Sequence, residues 1–129
     1  MKTTVVNVRG LDPEAFHADP RNVYVGRSVS GHGAGNWRGS IFGNPYKGSG
    51  RAGVIDAVRE FEKELRIAIA EPDSNRADNR FVVMARALPT LRGKRLGCWC
   101  TCWDGEGEPD KPCHAVVLAR LADEIGGGE

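Results

Sequence analysis

Residues 93–125 read GKRLGCWCTCWDGEGEPDKPCHAVVLARLADEI, and this stretch decides how the rest of the chain is read. It holds all four cysteines, Cys98, Cys100, Cys102 and Cys113, and one of the three histidines, His114. The run over 96–102 predicts a buried strand. The polar loop DGEGEPDK follows, and Cys113 and His114 then open a helix whose Val117, Leu118, Leu121 and Ile125 lie on one face. The strand carries thiols to its end, and the helix start brings a fourth thiol and an imidazole back toward them. Such a constellation can hold a metal or perform thiol chemistry.

Working outward, the helix at 54–70 is the clearest element. Val54, Val58, Phe61, Leu65 and Ile69 recur at three- and four-residue steps, with charged residues between them. A second helix is predicted over 80–88, with Phe81, Met84 and Leu88 on a stripe and Pro89 as its stop. Val5, Val6 and Val8 predict a first strand ending at Arg9-Gly10, and Val23, Tyr24 and Val25 a second, closed by Gly26-Arg27. Between these strands, residues 11–22 read as a loop with at most one short helical turn. The three glycines at 126–128 predict a helix stop, with 126–129 a disordered tail.

The order strand, strand, helix, helix, strand, helix predicts a single α/β domain over 1–125. Its sheet is small and mostly parallel, three- to four-stranded, flanked by three helices and accompanied by a long glycine-rich loop. Ligands of such sheets bind beyond the carboxyl ends of the strands. That rule brings Gly26, Arg27, the thiols and the start of the last helix to one crevice.

The glycine-rich segment 28–53 carries Trp37, Phe42 and Tyr46, so it is expected to pack aromatics on the core rather than act as a linker. It also carries Arg38, Lys47 and Arg51, which together with backbone N–H groups suit an anion. No Walker A or dinucleotide fingerprint is present. The formal net charge of +1 gives no global bias toward nucleic acid, and 27% charged with 40% hydrophobic residues fits a globular chain. No apolar run approaches the roughly 20 residues that span a bilayer, and no signal peptide is evident at the N-terminus. A cytoplasmic location is therefore expected, where clustered thiols point to metal or catalysis more than to disulfides.

Strand alternation puts Cys98, Cys100 and Cys102 on one face and Trp99, Thr101 and Trp103 on the other. Neighbouring thiols on that face are about 6 to 7 Å apart in an extended strand, so a bend is needed for them to share a zinc ion at roughly 2.0 to 2.3 Å. The spacing C-x-C-x₁₂-C-H departs from the usual C-x₂₋₄-C pairs of zinc fingers. Buried structural thiols, a bound metal and a reactive thiol all remain open on these residues. Cys113 near a helix N-terminus has its own warrant as a nucleophile. His17 and His32 read as solvated loop residues, Trp99 and Trp103 as packing residues, and Asp104, Glu106, Glu108 and Asp110 as a solvated acidic loop.

VYVGR at 23–27, FGNPY at 42–46, the nearby Arg51, LRGKRLGCWC at 91–100 and PCHAVVLARLA at 112–122 resemble the bacterial and bacteriophage family known as domain of unknown function 4326. The resemblance implies a site centred on Cys98, Cys100, Cys113 and His114, with Cys102 an addition. It also implies that Arg27, Gly43, Asn44 and Pro45 share the functional surface. The family name supplies no reaction.

The leading expectation is zinc held by Cys98, Cys100, Cys113 and His114, beside an anion-binding crevice. Gly26, Arg27, Gly43, Asn44, Pro45 and Arg51 would line that crevice, and its ligand would be a nucleotide, a nucleic-acid-derived ligand or another phosphorylated small molecule. In an enzyme, a metal-bound water or Cys113 would be the nucleophile, with Arg27 stabilising negative charge. The alternatives are a binding module with a structural Cys/His cluster, and a metal-free enzyme using Cys113.

Overall fold

The computed structural model describes residues 2–30, 35–46, 50–75 and 77–126. The expectations placed on His32, Lys47 and the tail at 127–129 lie outside the described residues, whereas Gly126 is the last residue of the final helix. Three short strands, β1 (Thr4–Asn7), β2 (Asn22–Tyr24) and β3 (Arg95–Cys98), form one parallel sheet in the order β1-β3-β2. The α/β class and parallel sheet agree with the sequence reading. Among the described residues, four helices accompany the strands: α1 (Pro13–Ala18), α2 (Gly50–Ala70), α3 (Asn79–Ala87) and α4 (His114–Gly126), with a 3₁₀ turn at Leu88–Leu91.

The short helix α1 is set by its cap. Asp12 accepts a hydrogen bond from the Ala15 amide at 3.1 Å, and Pro13 takes a first-turn position where its missing N–H costs nothing. Asp78 caps α3 in the same manner through the Arg80 amide. Helix α2 begins earlier than its apolar periodicity implies, so Arg51 and Gly53 are helical rather than part of the loop.

Register sorts the strand residues onto two faces. Val5 and Val23 pair with Leu96, while Val6 and Tyr24 pair with Gly97. Val5, Leu96, Val25 and Cys98 join Phe61, Leu65, Phe81, Met84 and Leu118 of the helices in the main core. On the opposite face Val8, Phe16, Tyr24 and Trp37 form a smaller aromatic core, so the sheet is covered on both sides. Gly97 makes this second layer possible. A Cβ there would lie 2.7 Å from Phe16 Cζ and 2.8 Å from Val8 Cγ1, so only a glycine lets the Phe16 ring reach the central strand.

The described aromatics of the glycine-rich segment pack as expected. Trp37 is 2% exposed, Phe42 is buried, and Tyr46 stacks on Phe81 at 6.1 Å. Val29 and Trp37 pair backbone to backbone in both directions at 2.8 Å.

The predicted strand over 96–102 is shorter than expected. Regular pairing stops at Cys98, after which the chain bends. Trp103 then returns antiparallel to Val5, exchanging two backbone hydrogen bonds of 2.9 Å. The strict alternation of Cys98, Cys100 and Cys102 therefore fails, because a pleated face continues only while the backbone stays extended.

Candidate functional site

Central strand β3 delivers Cys98 at its carboxyl end, directly beside the end of β1, where Asn7 is its register partner. Strand β2 ends nearby at Tyr24, and Gly26 and Arg27 follow. The N-terminus of α4 closes this edge with Cys113 and His114. The Sγ atoms of Cys98 and Cys113 are 3.3 Å apart, and both residues are buried. The bend after β3 brings Cys100 to the cavity that Cys113 also lines. Cys98 also donates to the Thr101 carbonyl at 3.5 Å.

Three thiols this close cannot all ionise. Hydrogen bonds from Cys113 and Cys98, helped by the charges of Arg27 and Lys111, lower the Cys100 thiol to about 3 against the cost of burial. The same contacts act in reverse on the partners. The hydrogen bond to Cys100 raises Cys113, with Cys98 and burial adding to it, and likewise raises Cys98. Within the cluster, negative charge is favoured at Cys100 and disfavoured at Cys98 and Cys113. Cys100 is exposed whereas Cys98 is 1% and Cys113 3% exposed, so the thiol with the lowered pKa is also the accessible one. Sequence reasoning placed the nucleophile at Cys113. Sequence offers no signal for how the neighbouring thiols shift one another's pKa, because that depends on their approach in the fold.

Cys102 stands apart. Its sulfur accepts from the Asn7 amide at 3.3 Å, on the side of the chain that returns along β1.

His114 Nε2 lies 2.7 Å from the Val25 carbonyl oxygen. Burial is the largest influence on this imidazole and lowers its pKa, favouring the neutral ring. A carbonyl only accepts, so the bond places the proton on Nε2 and leaves Nδ1 as the acceptor nitrogen. The Phe61 ring meets the imidazole edge-on at 5.4 Å.

Arg27 does two things here. Its Nε donates to the Asn44 carbonyl at 3.2 Å and its Nη2 to the Tyr46 carbonyl at 2.6 Å, which fastens the FGNPY segment to the end of β2. Asn44 is buried and fully engaged: Nδ2 donates to the Ala57 carbonyl at 3.3 Å, and Oδ1 accepts from the Tyr46 amide at 2.9 Å. Its side chain anchors the loop to α2. Gly26 is required sterically, since a Cβ there would fall 2.5 Å from the Tyr24 hydroxyl, which folds back to donate to the Arg27 carbonyl.

These parts enclose a cavity of about 330 Å³ lined by Gly26, Arg27, Asn44, Tyr46, Cys100, Cys113 and His114, with Val54, Ala57, Val58 and Trp99 supplying apolar wall. A second hollow of about 620 Å³ continues from it past Arg51, Asp110 and Lys111, sharing Val54, Trp99, Cys100 and Pro112. Arg27, Asn44 and Gly26 therefore meet the thiols as the sequence suggests, and Arg51 lies on the extension. Gly43 and Pro45 are not among the walls of either hollow; Gly43 donates to the Ser40 carbonyl in a turn. Trp99 was expected only to pack. It does so, with its ring edge-on to Trp37 and its Nε1 donating to the Tyr24 hydroxyl at 2.8 Å, yet it also lines both hollows. Its place between two cysteines at a strand end was the available signal.

Whether zinc fits can be judged from the donors. Three thiols and an imidazole with a free Nδ1 are suitable chemistry. Among the described residues, however, no group of three or more His, Cys, Asp or Glu side chains is arranged to hold a metal ion. No helix there is long and apolar enough to cross a membrane.

No curated protein and no solved structure matches the chain. A family model does match, over residues 12–124, a span that includes β2, the FGNPY segment, the three converging cysteines and His114. The chain belongs to the family described as Domain of unknown function (DUF4326).

Proposed function

We propose that the crevice at the carboxyl edge of the sheet binds a small anionic ligand of the nucleotide or phosphorylated-metabolite class, and that the Cys100 thiolate is the reactive group facing it. The observation that carries this reading is the single cavity shared by Arg27, Cys100, Cys113 and His114 at the start of α4. Its volume of about 330 Å³ lies at the small end of ordinary ligand pockets. Arg27 and the α4 N-terminus offer positive potential, and Trp99 and Val54 offer apolar wall. Arg51 and Lys111 extend that potential outward along the second hollow.

The test is calorimetric titration of the full chain with nucleoside mono-, di- and triphosphates and with inorganic phosphate. Saturable binding that weakens at least about tenfold in Arg51→Ala and Lys111→Ala, both at exposed positions, supports the reading. No saturable binding by any of these probes overturns it.

A second reading keeps zinc at Cys98, Cys100, Cys113 and His114. It is favoured by the His114 tautomer, because an imidazole that donates one N–H to a backbone carbonyl presents its other nitrogen to a metal. Metal analysis of protein purified without chelator decides it: about one zinc per chain, lost in Cys113→Ser and His114→Ala, is the supporting result.

A further inference from the structure

We infer that Cys98, Cys100 and Cys113 form a thiol–disulfide exchange centre, with Cys100 as the attacking sulfur and Cys113 as the resolving one. Its oxidant would be a small molecule containing a disulfide. The inference rests on the metal-free reading of the site and does not require the anionic ligand.

Geometry assigns the roles. Of the three clustered thiols, Cys100 alone is exposed, so it alone can meet a sulfur arriving from outside. It lies in both hollows, and these give a disulfide compound an approach. Behind it, Cys113 is buried and comes from a different element, α4 rather than the strand end. A bridge between Cys100 and Cys98 would span only Trp99, a short ring that strains disulfide geometry. Cys113 faces no such restriction. It lines the same hollow as Cys100, and its Sγ is 3.3 Å from that of Cys98, so the Cys98–Cys113 bridge needs the sulfurs to close by little more than about 1 Å toward the roughly 2.05 Å bond length.

In the first step the Cys100 sulfur attacks one sulfur of R–S–S–R′. The external S–S bond breaks, a Cys100–S–S–R bond forms, and R′–S⁻ leaves and takes a proton from water. In the second step Cys113 gives up its thiol proton and attacks Cys100 Sγ. The bond to R breaks, and R–S⁻ departs with that proton. The chain loses two electrons, which reduce one disulfide to two thiols. Cys98 can then exchange with the new bridge, giving Cys98–Cys113 and returning Cys100 to its thiol form. Cys102, bonded to the Asn7 amide on the other side, takes no part.

The experiment uses the reduced full chain, its metal content measured beforehand, mixed with glutathione disulfide, acid-quenched at intervals and mapped by mass spectrometry. A glutathione adduct on Cys100 forms at least about ten times faster than one on exposed Cys102. It decays into an internal disulfide that includes Cys113. Cys113→Ser accumulates the Cys100 adduct, and Cys102→Ser behaves as the parent. The transient adduct in the parent chain gives the same answer should a variant fail to fold. Adducts forming equally on Cys100 and Cys102, a parent adduct that never resolves, or thiols occupied by a stoichiometric metal would each overturn the inference. Because no phosphate compound is present, its failure is separate from failure of the anionic-ligand reading.

Discussion

The Sγ atoms of Cys98 and Cys113 lie 3.3 Å apart although fifteen positions separate the two residues. One sits at the end of the central strand and the other just before α4, and the long polar loop between them is what allows the return. Both are shielded, while Cys100, which lines the same cavity as Cys113, is exposed. The centre therefore has a protected interior and one accessible sulfur.

Alkylation should report this asymmetry directly. With Cys100 lowered to about 3 by its two thiol donors, its modification rate should stay nearly flat between about pH 5 and pH 8. A free model thiol with a pKa near 8.5 gains about tenfold per unit over that range. Iodoacetamide labelling with peptide mapping checks it. A Cys100 rate that climbs with pH like the free thiol would show that the thiolate is not held there.

Gly97 should tolerate no side chain. The Cβ of Gly97→Ala would press on Phe16 Cζ and Val8 Cγ1 at 2.7 and 2.8 Å, and overpacking of this kind costs ~1–3 kcal/mol. Thermal melts followed by circular dichroism should show the loss. Adding Phe16→Leu should recover part of it, since the shorter side chain withdraws from the strand.

Asn44→Ala should cost ~1–3 kcal/mol, because it removes the side-chain hydrogen bonds to the Ala57 carbonyl and the Tyr46 amide in a buried place. The second consequence is functional. With the loop released from α2, the carbonyls of Asn44 and Tyr46 no longer position Arg27. Hydrogen exchange at the Tyr46 amide should rise well beyond that of the α3 core. Unchanged protection would mean that the loop is held by its aromatics alone.

Asp19 should supply part of the acid sensitivity. Its carboxylate accepts from Arg21 and from Arg95 at 2.7 Å, and the Arg21 side-chain bond, followed by the Arg21 backbone bond, holds it well below the usual carboxylate range. The folded state thus binds fewer protons here than the unfolded chain, whose Asp titrates near 3.9. The contribution is present above that value and is lost as pH falls below it. Asp19→Asn should lower the melting temperature at pH 7 and flatten its decline between about pH 4 and pH 2. An equally steep acid decline in the variant would assign the sensitivity to other carboxylates.

Sequence alone determined the elements whose signals are local. The apolar steps of Val54, Val58, Phe61 and Leu65 gave α2, the β-branched runs gave β1 and β2, and the topology rule for parallel sheets gave the edge where Arg27 and the thiols meet. Family motifs marked the same residues. What only the tertiary structure decided was how each side chain is spent. Asn44 and much of Arg27 are taken up by the loop, because buried polar groups must find partners and the nearest ones were backbone carbonyls distant in sequence. The strand stopped at Cys98 because Trp103 turns back to pair with Val5, which destroyed the period-two face and sent Cys102 away from the other thiols. The thiol pKa is lowered at Cys100 and raised at Cys113, since these shifts come from neighbours that only the assembled fold brings within reach.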